Sequence, residues 1–385
     1  MLRPRILPGL LFLLALVAPA CQAQLGKNVL IPAGSEQDRQ LKAINDATDP
    51  AQKFTLMEEF SNANADGDFA IVADEQFVNY YLGVKQYDKA FEYGDKLFAL
   101  DPDNYNNAVN MIRAANEKGD VERLYVYGEK AAGIVNRCKA SPAPEGTSAA
   151  AWQAQKSQKL AGIKEDQTYI ENSLLTAAYQ QKDPAKKADY LQRFVKIYPE
   201  SANAEQAMSM SAFAYQAAQN RPKMLAVASS TLDKYPDDIG MLILLADDYS
   251  EKSEQLDKAE AYAKKAVTLC DAAKKPEGVA EADWQTQITL QKGLALSALG
   301  QVNIEKKDNL AAVKNLTAAS PLLKSNAGTY ARNQYRLGFA YLNLKKLPEA
   351  KQALSEAASL DTPYRAPAQQ KLKDLSKPAA HKAAS

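Results

Sequence analysis

Few residues of this chain have types and spacings that could do chemistry. The single histidine, His381, lies near the C-terminus. We interpret it as a solvated tail residue, which leaves no base to activate a serine or cysteine nucleophile. Asp247-Asp248 and Glu58-Glu59 are neighbours in sequence, so on a helix their side chains point in different directions and make a poor acid–base couple. The chain has no glycine-rich phosphate loop, CxxC or HExxH motif, and we predict that it is not an enzyme.

The charge of the chain excludes another class of function. The 47 Lys and Arg residues nearly balance the 46 Asp and Glu residues, which gives a net charge of +1. Binding nucleic acid requires a basic excess that is concentrated on one face. We therefore expect no nucleic-acid partner, and we expect no metal or organic cofactor either.

The N-terminus has the features of an export signal. Arg3 and Arg5 give a positive first segment, and residues 10–17 form an unbroken apolar run. This run is too short to span a bilayer as a stable anchor. Small residues at 18–20 and 21–23 offer two cleavage sites, so the sequence predicts an exported protein with a signal peptide at 1–23.

Cys21 leaves two outcomes open for this cleavage. Small residues before a cysteine also end the signal of bacterial lipoproteins, although the first position of that box is usually Leu and is Ala18 here. Ordinary cleavage would release a periplasmic or extracellular protein. Lipidation of Cys21 would instead tether the protein to a membrane surface without burying any of its fold.

A repeated helical pattern organises the rest of the chain, and it is clearest near the C-terminus. Its spacing is carried by Tyr335, Leu337, Gly338, Tyr341, Ala350, Leu354, Ala357 and Leu360. This pattern resembles the tetratricopeptide repeat, which has Leu-Gly, an aromatic residue three positions later, a later Ala and a final Pro. The resemblance implies two antiparallel helices that cross closely at Gly338 and Ala350. Tyr341 and Leu354 would fill the space beside the crossing, and Pro363 would stop the second helix.

The same spacing of small, aromatic and apolar residues recurs along most of residues 36–362. Together with the C-terminal unit, candidate helix pairs lie at 36–66, 71–104, 105–138, about 165–201, 204–236, 239–271 and 284–320. Five good units in tandem are strong evidence where one would be weak. The sequence thus predicts an all-α fold, an α-solenoid of about eight antiparallel helix pairs that form a tetratricopeptide superhelix.

A second, longer sequence repeat is superimposed on the repeat of the helix pairs. Matching residues are 132 positions apart (270 − 138, 276 − 144 and 284 − 152), namely Cys138 with Cys270, Pro144 with Pro276, and Trp152 with Trp284. We infer a duplicated block of three helix pairs plus a Pro-Glu-Gly insert. The predicted organisation is a linker at 24–35, a first block at 36–165, a second block at 166–298, a truncated third block with a capping helix at 299–376, and a disordered tail at 377–385.

The inserts at 139–150 and 271–281 are predicted loops, and each leads into a tryptophan that opens a long helix. The helices are expected at 150–182, with a break at Gly162, and at 281–306. Trp152 and Trp284 either staple the inserts onto the adjacent repeats, which we favour, or act as exposed anchors for a partner.

The remaining two cysteines are predicted to stay unpaired. Cys138 and Cys270 take equivalent places in blocks three helix pairs apart. In a solenoid each repeat contacts only its neighbours, so their Cα atoms would lie beyond the roughly 7 Å that a disulfide allows. We interpret both as small buried apolar residues.

The concave face, lined by the first helix of each pair, is the expected binding surface. In register with the motif, the polar and aromatic positions free to meet a partner are Asn79, Arg113, Asn116, Phe213, Gln216, Asp247, Arg332, Tyr335, Phe339 and Asn343. This mixed lining suits a protein surface or peptide. It lacks a repeated Lys/Arg/Asn set and so does not resemble a clamp for peptide carboxylates.

These observations favour a non-catalytic protein–protein interaction scaffold of the bacterial cell envelope, whose partner the sequence does not name. Two alternatives stay open. One is a lipid-anchored subunit of an envelope assembly machine, resembling the BamD-type lipoproteins that are also repeat arrays. The other is a carrier that holds a small apolar or glycan ligand in the groove of the superhelix.

The mature N-terminus separates the two outcomes of export. We expect mass spectrometry of the envelope-derived protein to find it at Cys21, Gln22 or Gln24. A diacylglycerol adduct on Cys21 identifies a lipoprotein, and a free N-terminus identifies ordinary cleavage. Folded cytoplasmic protein that retains Met1 would refute export.

Overall fold

The computed structural model describes residues 25–376. The predicted signal peptide, the lipidation candidate Cys21 and the tail with His381 lie outside these residues. The described chain confirms the all-α prediction, because its regular structure consists of helices alone. In chain order they are α1 (Glu36–Asp46), α2 (Pro50–Ala63), α3 (Phe69–Gly83), α4 (Tyr87–Leu100), α5 (Tyr105–Lys118), α6 (Val121–Ala140), α7 (Ala149–Gly162), α8 (Lys164–Tyr179), α9 (Pro184–Ile197), α10 (Ala204–Ala217), α11 (Arg221–Lys234), α12 (Ile239–Glu251), α13 (Leu256–Ala272), α14 (Glu281–Glu305), α15 (Asn309–Leu323), α16 (Ala327–Asn343), α17 (Leu347–Ser359) and α18 (Arg365–Ser376).

These helices belong to two compact units, Met1–Ala177 (unit 1) and Ala178–Ser385 (unit 2). In unit 1 the pairs α1/α2, α3/α4 and α5/α6 pack in sequence order, and α4 also packs against α5. In unit 2 the pairs α10/α11, α12/α13, α14/α15 and α16/α17 do the same, with α9 against α10 and α18 against α17. Helices α8 and α9 occupy the remaining predicted stretch at 165–201. Each unit is thus an array of helix hairpins in which neighbours pack on neighbours.

The same type of turn joins the two helices in six of the pairs. One turn residue, one or two positions after the end of the first helix, is in the left-handed region, namely Lys85, Gly119, Gln219, Ser253, Lys307 and Lys345. The amide of the following residue donates to a carbonyl five residues back, as from Asp120 to Ala115 and from Lys346 to Tyr341, both at 2.9 Å. This bond closes the end of the first helix in the manner of a Schellman motif. Lys85 and Gly119 are 34 residues apart (119 − 85), which is the length of one tetratricopeptide unit.

The two helices of a pair cross closely at a glycine. A Cβ on Gly338 would lie 2.6 Å from Cγ of Leu354, and a Cβ on Gly300 would lie 2.5 Å from Cγ of Leu316. Ala350 is fully buried in the same crossing as Gly338. The predicted crossing of α16 and α17 is therefore confirmed, and the same arrangement recurs between α14 and α15.

The predicted inserts are loops, and their tryptophans follow as expected. Nε1 of Trp152 donates to the carbonyl of Ser141 at 3.0 Å, and Nζ of Lys156 donates to the same carbonyl at 3.2 Å. Trp152 thereby staples the first insert onto the start of α7. The break at Gly162 is confirmed, since α7 ends there, whereas α14 runs without interruption from Glu281 to Glu305.

The segment predicted as an N-terminal linker is partly docked. The side chain of Leu25 is 6% exposed, and its carbonyl accepts the amide of Tyr105 at 3.3 Å. The amide of Lys27 donates to Oδ2 of Asp101 at 2.9 Å. Gly26 between them has a φ of +112° and faces the backbone of Asn104, where a side chain would not fit. Residues 25–27 are therefore fixed to the turn between α4 and α5.

The two remaining cysteines differ in burial. Neither Cys138 nor Cys270 forms a disulfide, and Cys270 is buried as predicted, whereas Cys138 is only half-buried. Within residues 25–376, none of the helices combines the length and apolar character required to cross a membrane.

The glycine crossing makes a direct prediction for stability. Gly338→Ala places a methyl group against Leu354, and overpacking of this kind costs roughly 1–3 kcal/mol. Gly328→Ala is a matched control in the same helix, because its nearest neighbour would be 3.5 Å away. We expect native-state hydrogen exchange to accelerate in α16 and α17 of the first variant only. Equal exchange rates in the two variants would contradict the close crossing.

Candidate functional site

The ten residues predicted to line the binding surface all lie on first helices, but they fall into separate groups. Asn79 is on α3, Arg113 and Asn116 are on α5, Phe213 and Gln216 are on α10, Asp247 is on α12, and Arg332, Tyr335, Phe339 and Asn343 are on α16. The structure brings four of them together in unit 2, namely Asp247, Arg332, Tyr335 and Phe339. The others lie apart from this group.

In unit 1, two of the predicted residues contact the next first helix. Nη2 of Arg113 lies 3.0 Å from Oδ1 of Asp166, and the guanidinium lies 5.7 Å from the ring centroid of Tyr169. Asn116 donates to the hydroxyl of Tyr169 at 3.4 Å. These side chains are held between α5 and α8, although they remain accessible to solvent. A partner would therefore meet them as an arranged polar surface.

Three predicted residues of unit 2 lie outside the central group. Phe213 is 38% exposed, and its ring edge would lie 3.3 Å from a Cβ on Gly240, so the absence of a side chain there makes room for the ring. Gln216 is exposed one turn further along α10. Asn343 is exposed and donates to Oδ1 of Asn309 at 2.9 Å.

A buried ion cluster lies at the centre of the main group. Oδ2 of Asp247 lies 2.6 Å from Nη1 of Arg332, and its Oδ1 lies 2.8 Å from Nη2 of Arg336. Arg336 also pairs with Glu251 and donates to the carbonyl of Ser297 at 3.3 Å. The cluster therefore joins three first helices, α12, α14 and α16, through a single guanidinium that is only 4% exposed.

The charges of this cluster stabilise one another. Burial alone would raise the pKa of Asp247, but the charges of Arg336 and Arg332 and their hydrogen bonds lower it to about 2. Burial likewise opposes the charge of Arg336, and Asp247 and Glu251 nevertheless hold its pKa above the usual value. Nε of Arg336 has no hydrogen-bond partner in the described chain. Such an unsatisfied buried donor is costly.

Arg336 was not among the predicted site residues. Its position on α16 is one of those that face the core, and a charged residue there is rarely fully buried unless it is paired. The only signal in the sequence was the pairing of Asp247 on one first helix with arginines on another. That signal gives no distance, because three helices, α13, α14 and α15, lie between α12 and α16 in the chain.

An aromatic cavity of about 230 Å³ adjoins the cluster. It is lined by Glu251, Gln301, Ile304, Glu305, Tyr335, Arg336, Phe339 and Tyr364. The ring of Tyr335 lies 4.9 Å from that of Phe339 and 5.7 Å from that of Tyr364, measured between centroids. Nζ of Lys371 on α18 lies 4.9 Å from the centroid of Phe339. Two predicted aromatic residues thus share one concave site with a buried arginine.

The lining of this cavity offers charged, hydrogen-bonding and aromatic groups. The cavity is lined by carboxylates, an amide, a guanidinium and aromatic rings, and by no serine, cysteine or histidine that could act as a nucleophile or base. Elsewhere in unit 2, burial and the neighbouring Asp271 raise the pKa of Cys270 to about 11, which keeps its thiol protonated at neutral pH. Among residues 25–376, no group of three or more His, Cys, Asp and Glu side chains is placed to hold a metal ion.

The ion cluster predicts a dependence of stability on pH. The pKa of Asp247 is lower in the folded chain than the roughly 3.9 of an unfolded aspartate. Its contribution to stability is therefore complete above about pH 4 and is lost as the pH falls to about 2. We expect Asp247→Asn to cost about 3 kcal/mol at pH 7, because it leaves Arg336 buried with less compensation.

Hydrogen exchange in α12 and α16 at pH 7 and pH 3 provides the measurement. The two proteins should differ less at pH 3, where the wild-type carboxylate begins to protonate. Asp257→Asn is the matched control, since Asp257 pairs with Lys306 while 98% exposed, and it should change little. An Asp247→Asn chain with wild-type exchange at pH 7 would show that the cluster does not hold the helices.

Comparison with known proteins reveals similarity at the level of structure alone. No protein-family model matches the sequence, and no curated protein is significantly similar. Among solved structures, the APC/C hetero-tetramer Cut9–Hcn1 is 14% identical with a TM-score of 0.39, and the match covers 89% of this chain and 64% of that one. This chain thus spans less than two thirds of its length.

Two further structures are similar over most of their length. NprR in complex with its cognate peptide NprX is 18% identical with a TM-score of 0.35, covering 88% of this chain and 80% of that one. The P58(IPK) TPR domain is 13% identical with a TM-score of 0.29, covering 89% and 100%. Because these TM-scores are low, the assignment of the fold rests on the helix hairpins, the repeated turn and the glycine crossings. By these features the chain has the tetratricopeptide-repeat fold.

Proposed function

We propose that this chain is a non-catalytic protein-binding scaffold, and that it binds a protein or peptide partner at the concave site around Tyr335 and Phe339. One observation carries the proposal: two aromatic side chains expected at the binding surface lie together beside a buried arginine and line a cavity. Tyrosine and arginine are the residue types that dominate binding energy at protein interfaces.

The site is suited to binding because its rings are held in place before a partner arrives. Tyr335 and Phe339 are half-buried and one turn apart on α16, and they contact each other edge to face. Helix α16 is fixed in turn by the pairing of Arg336 with Asp247. A site whose side chains are already ordered loses less conformational entropy on binding. An aromatic residue of a partner would gain contacts with these rings.

We further propose that the scaffold works in the bacterial cell envelope. The support is the N-terminal sequence, where a basic segment, an apolar run and small residues follow one another. In this proposal the protein is periplasmic or extracellular after cleavage. The narrower alternative, a lipid-anchored subunit of an envelope assembly machine, depends on lipidation of Cys21. The carrier alternative would have been favoured by a tryptophan-lined pocket, and neither Trp152 nor Trp284 lines the aromatic cavity.

The test begins with a partner, found by affinity pull-down from an envelope extract with the mature chain. Tyr335→Ala and Phe339→Ala should each weaken its binding at least tenfold, which is about 1.4 kcal/mol, because truncating a buried aromatic anchor typically costs about 2 kcal/mol. Calorimetric titration gives the affinity, and circular dichroism should show unchanged helix content. Lys351→Glu on α17 is the control, since a charge on the second helix lies away from the site and should have little effect.

A specific outcome would overturn this placement of the site. If a confirmed partner still binds both aromatic variants, but not variants of the Pro-Glu-Gly inserts or of Trp152 and Trp284, then the inserts form the binding surface. The helix pairs would in that case only space the two copies of the insert.

A further inference from the structure

Two carboxylates line the aromatic cavity of unit 2 beside its rings. Glu251 is the last residue of α12, and Glu305 is the last residue of α14. Oε1 of Glu305 accepts Nε2 of Gln301 at 3.0 Å, and its Oε2 accepts the hydroxyl of Ser253 at 2.6 Å. These neutral donors orient the carboxylate without compensating its charge. In the described chain, no lysine or arginine pairs with Glu305.

The charges of the cavity and of the ion cluster behind it leave one carboxylate in excess. Asp247, Glu251 and Glu305 carry three negative charges, whereas Arg332 and Arg336 carry two positive ones. Both Nη atoms of Arg336 are engaged, Nη2 by the two cluster carboxylates and Nη1 by a main-chain carbonyl. An incoming anion would therefore find this guanidinium occupied, while a cation would compensate the remaining charge.

The rings of the cavity are inclined to one another, so they do not cover each other as stacked rings would. The planes of Tyr335 and Phe339 meet at 64°, and those of Tyr335 and Tyr364 meet at 48°. The face of an aromatic ring is its negative part and attracts a cation within about 6 Å of the centroid. The chain itself contains an example, because Nζ of Lys371 lies 4.9 Å from the centroid of Phe339.

The cavity of unit 1 lacks this combination of groups. It has a volume of about 200 Å³ and lies between α3, α4 and α5. Its lining consists of Glu75, Val78, Asn79, Leu97, Asn106, Asn107 and Asn110, of which only Asn79 was predicted for the binding surface. Glu75 is the one carboxylate of this lining, and no aromatic ring accompanies it. Of the two cavities, only that of unit 2 therefore combines ring faces with carboxylates.

The size and the acceptors of the unit 2 cavity favour a primary ammonium on a flexible stem. Its volume of about 230 Å³ is below the roughly 300 Å³ at which small-molecule sites begin, so it suits one side chain of a larger partner. A lysine ammonium has three N–H donors, and Glu251, Glu305 and the amide oxygen of Gln301 are acceptors in the lining. Its methylene groups would lie against Ile304 and the rings.

We propose that the cavity lined by Tyr335, Phe339, Tyr364, Glu251 and Glu305 binds a lysine side chain of the partner, with the ammonium between the ring faces and the carboxylates. This inference rests on the proposed protein-binding function and names the side chain that enters the site. An aromatic side chain would contact the same rings but would leave Glu305 uncompensated. Lys371 opposes binding, because the bound ammonium would meet its like charge.

n-Butylammonium, which reproduces the end of a lysine side chain, is the probe. The methyl groups of Ile304 line the cavity, so methyl NMR spectra of the full mature chain report its occupancy, and Ile304→Val assigns the signal. We expect butylammonium to shift this signal in a saturable titration. 1-Pentanol and pentanoate, which have a similar stem without the positive charge, should leave it unchanged at the same concentrations.

Variants of the carboxylate and of the ring should each weaken the binding of butylammonium. We expect Glu305→Gln to weaken it about tenfold, or about 1.4 kcal/mol, and Phe339→Leu to act similarly, since it keeps an apolar side chain but removes a ring face. Glu277→Gln is the matched control, because Glu277 is an exposed residue of the second insert and does not line the cavity. Lys371→Met should strengthen binding about threefold by removing a like charge.

Equal shifts with 1-pentanol, or butylammonium binding that survives both Glu305→Gln and Phe339→Leu, would overturn the inference. Tighter binding of tetramethylammonium would identify a site for quaternary ammonium groups, and tighter binding of pentanoate would identify an anion site; either result refutes the assignment to lysine.

The partner found by pull-down separates this inference from the proposed function. A partner whose affinity depends on Tyr335 and Phe339, but neither on Glu305 nor on any of its own lysines, would support the aromatic site and refute the lysine pocket. A partner that ignores both rings, while butylammonium binds as expected, would refute the proposed function alone.

Discussion

The close approach of the two helices in a pair is the constraint on which the structure depends. Where α16 crosses α17 and α14 crosses α15, the first helix carries a glycine, and a leucine of the second helix fills the space that a side chain would need. The approach allows a turn of few residues to join the helices, and the same left-handed turn then recurs in six pairs. Because each hairpin is closed in the same way, successive first helices within a unit come to lie beside one another.

The cavities of the two units differ in their chemistry. In unit 2, charge organises the site, since Arg336 compensates Asp247 and Glu251 and ties three first helices together behind two aromatic rings. In unit 1, the cavity between α3 and α5 has Glu75 as its one charged lining residue and is otherwise lined mainly by asparagine carboxamides.

The sequence predicted the helices better than it predicted the sites. Small residues at crossings, a fixed repeat length and proline-rich inserts are local signals, so the helix pairs, both inserts and the terminal helix could be placed. Gly162 correctly indicated a helix end. Gly293, in contrast, lies inside the uninterrupted α14, where a Cβ would approach Leu323 to 2.8 Å, so its small size serves helix packing. The burial of Arg336 and the cavity around Asn107 depend on contacts between helices distant in sequence. The repeat pattern contains no information on such contacts.

The docking of Leu25 has a consequence for the distance between the fold and a membrane. Leu25 lies four positions after Cys21 (25 − 21), and an extended chain covers at most about 3.6 Å per position, or roughly 14 Å in all. Leu25 is bound in turn to the amide of Tyr105, and Lys27 is bound to Asp101. If Cys21 carries a lipid, the α4–α5 turn must therefore lie against the headgroups of the bilayer. Lipidation would then determine the orientation of unit 1 at the membrane as well as its location.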